Sequence, residues 1–324
     1  MEKYIMLEKA VGETPLSCAE AFRSNHPELD GVSMAYAGRL DPMASGKLLV
    51  LLGDECKNQT AYHGLDKEYE FSVLLGIGSD SHDVLGRLNT IPIHPNADSN
   101  QSLLHRSSQT HPRIVTSSLN APNDQSIQSD LDGSNTLSDR VNHGQAAPSA
   151  LSESLIAIAK TLTGNIELPY PHFSAKTVQG KPLHMWTLEG RLGEIEIPTK
   201  ESTVYALNLD SIETKSRTEV CAQARVKIDS IPEVTEERKA LGNDFRRVDV
   251  RTDWENILEN DSLPDYYQIA HFTCTASSGT YMRTLAHLIG QRLSPPTPSL
   301  AWRIHRTKIG TFDAASKTWS TTFE

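Results

Sequence analysis

The segment Tyr36-Ala-Gly-Arg-Leu-Asp-Pro-Met-Ala-Ser-Gly46 places a single carboxylate, Asp41, in a loop bracketed by glycines. Gly38 and Gly46 permit a tight backbone path that few other residues follow. Pro42 fixes the chain just after the carboxylate and biases Asp41 toward an extended conformation. An aspartate held this rigidly, with no second acid beside it, suits a nucleophile or a single general base. Taken alone, the same loop is also an ordinary Asp-Pro turn. Three further segments carry residue types that can contact or polarise a substrate: Lys67-Glu-Tyr69, Ser174-Ala-Lys-Thr-Val-Gln-Gly180 and Ser278-Gly-Thr-Tyr-Met-Arg283. A fourth cluster, Asp80-Ser-His-Asp83, invites a metal reading, but its spacing is not that of an EF-hand loop.

These groups need elements to hold them. The apolar run Leu48-Leu-Val-Leu-Leu52 reads as a buried strand, which puts the Asp41 loop at the edge of a core. Thr14-Pro15, followed by Leu16, Ala19 and Phe22, predicts a capped helix with proline in its first turn. Glu68 to Leu75 reads as a strand ending at Gly76-Ile-Gly78. That Gly-x-Gly lacks the third glycine and the following helix of a dinucleotide fingerprint. Leu151 to Leu162 has helical periodicity, with Leu155, Ile158 and Leu162 on one face and Gly164 just beyond its end. An alternating strand is expected from Ile269 to Thr275, then a Ser-Ser-Gly turn. A helix from Thr280 to Leu293 follows, with Met282, Leu285, Leu288 and Ile289 as its apolar face.

With 324 residues, the length fits two domains or one large domain with insertions. Two stretches interrupt the pattern. Residues 94–148 are rich in Ser, Asn, Gln, Asp and His and predict a low-complexity, disordered insertion. Residues 213–265 are charged in both signs but contain Val220, Val226, Ile228, Val248 and Ile257, so a partly folded insertion is expected. The flanking residues, 1–93 and 149–324, would form one catalytic domain. No internal repeat is visible.

A hydrophobic fraction of 38% and a mean hydropathy of −0.41 fit a water-exposed protein with a real core. No apolar run reaches membrane-spanning length, and the first residues lack the features of a signal peptide. Cys18, Cys56, Cys221 and Cys274 form no Cys-x-x-Cys pair, which argues against a zinc site or a disulfide framework and fits a reducing cytoplasm. The net charge of −10 disfavours a polyanionic partner on average. The average conceals two acid-free basic stretches. Tyr266 to Phe312 carries Arg283, Arg292, Arg303, Arg306 and Lys308, and Leu168 to Leu188 carries Lys176 and Lys181 with His172 and His184. Such stretches are the electrostatic footprint expected of a nucleic-acid partner, and equally of buried structure that lacks acids.

In order and spacing, these segments closely resemble the TruB family of tRNA pseudouridine synthases. The Asp41 loop is similar to that family's Gly-x-Leu-Asp-Pro-x-Ala-x-Gly signature, and Leu52-Gly-Asp-Glu-Cys-Lys57 follows where the family has Leu-Gly-Glu-Ala-Thr-Lys. Lys67-Glu-Tyr69 and Ser79-Asp-Ser-His-Asp-Val-Leu-Gly86 resemble its Lys-x-Tyr strand and its Thr-Asp-Thr-x-Asp-x-x-Gly loop, an acidic loop without metal. Phe173-Ser-Ala-Lys176 with Gly180-Lys-Pro-Leu-His184 resembles its RNA-gripping thumb. Ser278-Gly-Thr-Tyr-Met-Arg283 and Ile304-His-Arg-Thr-Lys-Ile-Gly-Thr-Phe312 resemble the rest of its catalytic domain.

The resemblance implies an α+β (mixed α/β) pseudouridine synthase fold: a mainly antiparallel central sheet, flanking helices and a thumb segment. It implies conversion of the T-loop uridine of tRNA (position 55) to pseudouridine, without metal or organic cofactor. Asp41 would be the catalytic carboxylate, and three routes stay open: attack at ribose C1′, attack at base C6, or removal of a ribose proton. Arg283 would pair with it, since an adjacent guanidinium favours and orients a charged carboxylate. Tyr69 would lie against the base, with Tyr281 and Ile304 lining the same pocket. The uridine would have to be flipped from its stack. Lys176, His184, Arg303 and Arg306 would contact phosphates and position the RNA.

The chain departs from the family pattern at Tyr36, where a histidine is usual, and at Arg39, where a small residue is usual. A tyrosine can still stack on a base, so Tyr36 is expected to contact substrate. Little sequence follows Phe312, so no C-terminal PUA domain is expected. Hence a stand-alone cytoplasmic enzyme is expected, a monomer working on the T-arm stem-loop without guide RNA or membrane. Two alternatives remain open: a synthase acting on another RNA, and an RNA chaperone that keeps the cleft without the chemistry.

Overall fold

A computed structural model describes residues 2–89, 149–233 and 246–323, all belonging to one compact unit. The stretch expected to be a low-complexity insertion, 94–148, lies outside the described residues. The chain begins with β1 (Tyr4–Lys9), α1 (Pro15–Ser24), β2 (Met34–Tyr36), β3 (Ala44–Leu52), α2 (Gln59–His63) and β4 (Asp66–Leu75). Two short strands, β5 (Gly78–Ser79) and β6 (Leu88–Asn89), close the Asp80 loop. Then come α3 (Ala150–Thr161), β7 (Gly164–Pro169), β8 (Thr177–Val178), β9 (Lys181–Pro182) and α4 (Leu183–Leu188). The C-terminal half holds β10 (Thr199–Ser216), α5 (Arg217–Asp229), α6 (Arg247–Glu259), β11 (Tyr266–Ala276), α7 (Met282–Gln291), β12 (Ser299–Asp313) and β13 (Thr318–Thr322).

Local chemistry accounts for these boundaries. Thr14 caps α1 in a reciprocal box with Ser17, and Pro15 occupies the first turn, where a missing N–H costs nothing. Ser149 caps α3 and Ser216 caps α5 through a box with Glu219. α7 starts two residues later than its periodicity predicts. Thr280 instead closes a turn, its hydroxyl donating to the Ser277 carbonyl at 2.9 Å, and Tyr281 stays extended.

Among the described residues, the strands form one nine-stranded sheet in the order β1-β3-β12-β4-β11-β10-β7, with β13 on β12 and β2 on β3. Every pairing in it is antiparallel except β12 with β3, which run parallel from Ile304–Ala44 to Arg306–Gly46. The fold is therefore α+β with a mainly antiparallel sheet. Leu48 to Leu51 are fully buried, as a strand flanked on both sides requires. Two distant motifs meet at the β3–β12 contact: β3 follows the Asp41 loop, and β12 carries Ile304 and Arg306. α7, carrying Arg283, packs on β12 and β4.

Residues 213–265 contain the end of β10, α5, α6 and the connection to β11; positions 234–245 lie outside the described residues. α5 and α6 pack together and bury Val220, Ala224, Ile228, Val250, Trp254 and Ile257 in the main core. Among the described residues, no helix is long and apolar enough to cross a membrane.

Candidate active site

The Asp41 loop is held by its carbonyls. Lys9, fully buried, donates from Nζ to the Ala44 carbonyl at 2.6 Å and to that of Ala10 at 2.8 Å. Burial pushes its pKa down to about 8, against the pull of nearby acids that include Asp41. Arg306, 1% exposed, donates from Nε to the Lys47 carbonyl at 2.7 Å and from Nη1 to that of Arg39 at 3.4 Å. Gly12 N–H adds a bond to the Pro42 carbonyl at 2.9 Å, and Ala44 N–H closes the turn on the Asp41 carbonyl at 2.9 Å. The backbone is thus pinned on both sides of Asp41, while the carboxylate side chain remains 42% exposed.

Arg283, in the first turn of α7 and 5% exposed, faces that carboxylate. Its Nε lies 2.8 Å from Asp41 Oδ2, with the N–H pointing off the contact line, and 3.6 Å from Asp83 Oδ2. Nη1 donates to the Ser81 carbonyl at 3.0 Å and Nη2 to the Phe173 carbonyl at 3.2 Å. Burial pulls the guanidinium pKa down, but Asp41 and Asp83 outweigh it and the net direction is up. Asp83 is itself buried, which pushes its pKa up against the pull of Arg283. It accepts from Ser81 Oγ at 2.7 Å and from Leu85 N–H at 3.0 Å. Gly86 lets this loop close, because a Cβ there would stand 2.3 Å from Ser81 Oγ.

Tyrosines surround the pair. Tyr69, on β4, is 9% exposed and lies opposite Arg306 in the sheet register. Burial raises the pKa of its hydroxyl, Arg306 opposes that rise and the Asp41 charge adds to it, so the phenol stays protonated near neutral pH. Tyr281 is half-buried, and burial, Tyr170 and Asp41 together raise its pKa. Tyr170 stands 5.6 Å from the Tyr281 ring, and Lys176 Nζ sits 5.0 Å over Tyr170. Ile304 is buried on β12 opposite Phe71 and Ala44. Tyr36, Gly38, Arg39, Gln59 and His63 line a cavity of about 390 Å³. Gln59 donates from Nε2 to the Tyr36 carbonyl at 2.8 Å there.

The structure therefore brings Asp41, Arg283, Tyr69 and Tyr281 together, with Ile304 in the adjoining core, while Tyr36 lines the separate cavity with Arg39 and Gln59. It does not bring all the phosphate candidates to the cleft. Arg306 is a correction: its guanidinium is buried beneath the loop, because holding the Lys47 and Arg39 carbonyls takes its donors away from solvent. Arg303 is a second correction. Its Nη1 pairs with Glu70 at 3.4 Å, and Glu70 alternates with Tyr69 along β4, so Arg303 belongs to the opposite sheet face. Lys176 is exposed on the Tyr170 side, and His184 is half-buried with Nδ1 3.2 Å from the Ser174 carbonyl.

Sequence reading missed Lys9, Asp83 as a partner of Arg283, and Tyr170. Asp83 alone had a signal, in the Asp80-Ser-His-Asp83 cluster. Lys67 lay within a motif without an assigned role. It donates to Ser278 Oγ at 3.2 Å and to the Leu65 carbonyl, and burial lowers its pKa to about 8. Behind Arg283, His82 stacks on His287 with ring centroids 4.0 Å apart, and His172 lies 5.4 Å from His82.

Comparison with known proteins finds several similar chains. Residues 29–111 match the family model described as TruB family pseudouridylate synthase (N terminal domain). The chain is 24% identical over 297 residues to tRNA pseudouridine synthase B of Geobacillus thermodenitrificans, covering 91% of this chain and 64% of that protein. It is 22% identical over 312 residues to the enzyme of the same name in Geotalea uraniireducens, covering 96% and 64%. With that of Caldicellulosiruptor saccharolyticus it shares 24% identity over 212 residues, covering 64% and 52%. The chain thus spans about half to two thirds of the length of these curated relatives. Among solved structures, a chain in "Crystal Structure of a Cbf5-Nop10-Gar1 Complex" has a TM-score of 0.44 at 15% identity, covering 95% of this chain and 49% of that one. By these sequence matches the chain is similar to the pseudouridylate synthases. Among these, the similarity is to the TruB family, through the family model matched over residues 29–111 and through relatives at 24% and 22% identity.

Proposed function

We propose that this protein isomerises the T-loop uridine (position 55) of tRNA to pseudouridine. The observation that carries the proposal is the pairing of Asp41 with buried Arg283 beside Tyr69, at the motif positions of the family. The name of the curated relatives, tRNA pseudouridine synthase B, supports a tRNA substrate. In the reaction the N1–C1′ bond breaks, the uracil turns, and C5 bonds to C1′. The C5 hydrogen leaves and N1 gains one, so product and substrate are isomers and no co-reactant is consumed.

The residues divide the work. Each open route needs a carboxylate that a flipped nucleotide can reach yet that cannot change direction. Asp41 meets both needs, because its loop is held through backbone carbonyls and its oxygens are partly exposed. Arg283 supplies a fixed positive charge beside the reacting carboxylate in a water-poor site, where such a charge acts most strongly. Tyr69 offers a ring face to the base and a hydroxyl held protonated by burial. Tyr281 and Tyr170 extend the aromatic wall toward Lys176, which would contact the RNA backbone. Tyr36 would stack on a base at the cavity it lines with Arg39 and Gln59.

On this reading the protein acts in the cytoplasm, as a monomer and without guide RNA, on the T-arm stem-loop. The test is incubation of the purified chain with an unmodified tRNA transcript, followed by pseudouridine mapping. Product at the T-loop uridine supports the proposal. Product elsewhere moves the substrate to another site or RNA, and binding without product favours an RNA chaperone.

A further inference from the structure

Arg246 makes two contacts that converge on Arg283. Its guanidinium forks onto Asp80, with Nη1 to Oδ2 at 2.6 Å and Nη2 to Oδ1 at 3.3 Å. The same guanidinium lies 4.0 Å over the Phe173 ring. Phe173 supplies the carbonyl that accepts from Arg283 Nη2, and Ser81, next to Asp80, supplies the carbonyl that accepts from Nη1. One side chain therefore touches both segments that aim the Arg283 guanidinium at Asp41.

The anchor behind this fork is firm. Arg246 immediately precedes α6 with a left-handed backbone (φ 64°), and its side chain is only 16% exposed. α6 is fastened to the same loop by two more contacts. Arg87 donates to Asp253 from Nε at 2.7 Å and from Nη2 at 3.1 Å, and Trp254 Nε1 approaches the Val84 carbonyl at 3.4 Å. Arg246 thus ties the 213–265 stretch to Phe173 and to the loop that holds Arg283. The planar guanidinium suits this task, pairing bidentately at its edge while its face lies on a ring.

We propose that Arg246 is a positioning residue for the reaction, fixing the Ser81 and Phe173 carbonyls so that Arg283 stays aimed at Asp41. This rests on the proposed isomerase function. Without Arg246 the two carbonyls are free to drift apart, and a misplacement near 1 Å at a reacting group costs about 100-fold in rate. Arg246→Ala is therefore expected to lower kcat by roughly 10- to 100-fold while KM for tRNA stays within about threefold. Arg246→Lys, which keeps the charge but not the fork and stack, falls between the variant and the wild type. In an Arg283→Lys background, Arg246→Ala adds little, because the group it positions is already altered. Should Arg246→Ala fail to fold, Asp80→Asn and Phe173→Leu break one arm each and are read in the same way.

A second readout does not need turnover. The Nε–H proton signal of Arg283, assigned by its loss in Arg283→Lys, is expected to shift in Arg246→Ala as the contact to Asp41 changes. An unmoved signal in a folded variant, an unchanged kcat, a loss confined to KM, or full additivity with Arg283→Lys would each overturn the proposal. If the wild type makes no pseudouridine but the Nε–H signal shifts, the isomerase reading fails while the positioning of Arg283 by Arg246 stands.

Discussion

Gly46 meets the backbone of Arg306 so closely that a Cβ on it would stand 2.3 Å from the Arg306 carbonyl oxygen. This is where β3 and β12 pair in parallel, and Gly46 has a φ of +108°. The close approach brings the Arg306 side chain under the Asp41 loop, where it holds the Lys47 and Arg39 carbonyls. Gly46→Ala combines an unfavourable φ with a backbone clash, so it should destabilise the fold by roughly 2–4 kcal/mol. Urea unfolding checks this. A loss below about 0.5 kcal/mol would mean that the strands separate freely here.

Arg283→Ala removes the partner of Asp41 and leaves Asp83 buried opposite an empty space. The expected result is a fall in kcat of several orders of magnitude, together with a stability loss of about 3–5 kcal/mol, as for other broken buried pairs. Arg283→Lys should recover part of the stability and little of the rate, because an ammonium cannot reach the Ser81 and Phe173 carbonyls while facing Asp41. Full activity in either variant would remove the ion pair from the account.

The two corrected arginines separate phosphate contact from scaffolding. Lys176→Ala should reduce the salt dependence of tRNA binding, lowering the slope of log K against log salt by about 0.7–0.9. Arg306→Gln should leave that slope unchanged and instead lower kcat and thermal stability, because its donors serve the Asp41 loop. Equal slopes for Lys176→Ala and the wild type would take Lys176 out of the interface.

These corrections show which parts of the site are legible in a sequence. Apolar runs, caps and breakers report local structure well, so the strand after Asp41, the Thr14 cap and the α3 face could be read directly. Motif spacing pointed to Asp41, Tyr69 and Arg283, which the fold assembles from three distant elements. An acid-free run cannot separate a guanidinium that meets solvent from one that is buried. Arg303 and Arg306 are three residues apart in an unbroken register, so strand alternation sends one to the far face and the other under the loop. Lys9 and Arg246 act through backbone carbonyls and a ring face, contacts that leave no pattern in residue order.

The stacked histidines should make the fold sensitive to mild acid. Burial lowers the pKa of His82, His172 and His287, the last to about 4, and the Arg283 charge pushes His82 further down. Above the unfolded value near 6.5 the rings are neutral in both states and contribute no pH dependence. As pH falls from about 6.5 toward 4, the unfolded chain takes up protons that the folded chain refuses, so stability drops. The window from 6.5 to 5 precedes most carboxylate titration and isolates the effect. His287→Gln should flatten the denaturation midpoint across that window; an unchanged slope would mean the histidines are not responsible.

The central claim is that Asp41 performs the chemistry and does not merely shape the loop. Asp41→Asn keeps the size of the side chain and leaves the carbonyl contacts of Lys9 and Arg306 in place. Pseudouridine mapping on an unmodified tRNA transcript, with tRNA affinity measured on the same preparation, tests the claim most directly. The account predicts binding within a few fold of the wild type and no detectable product. Normal product formation by Asp41→Asn would contradict it.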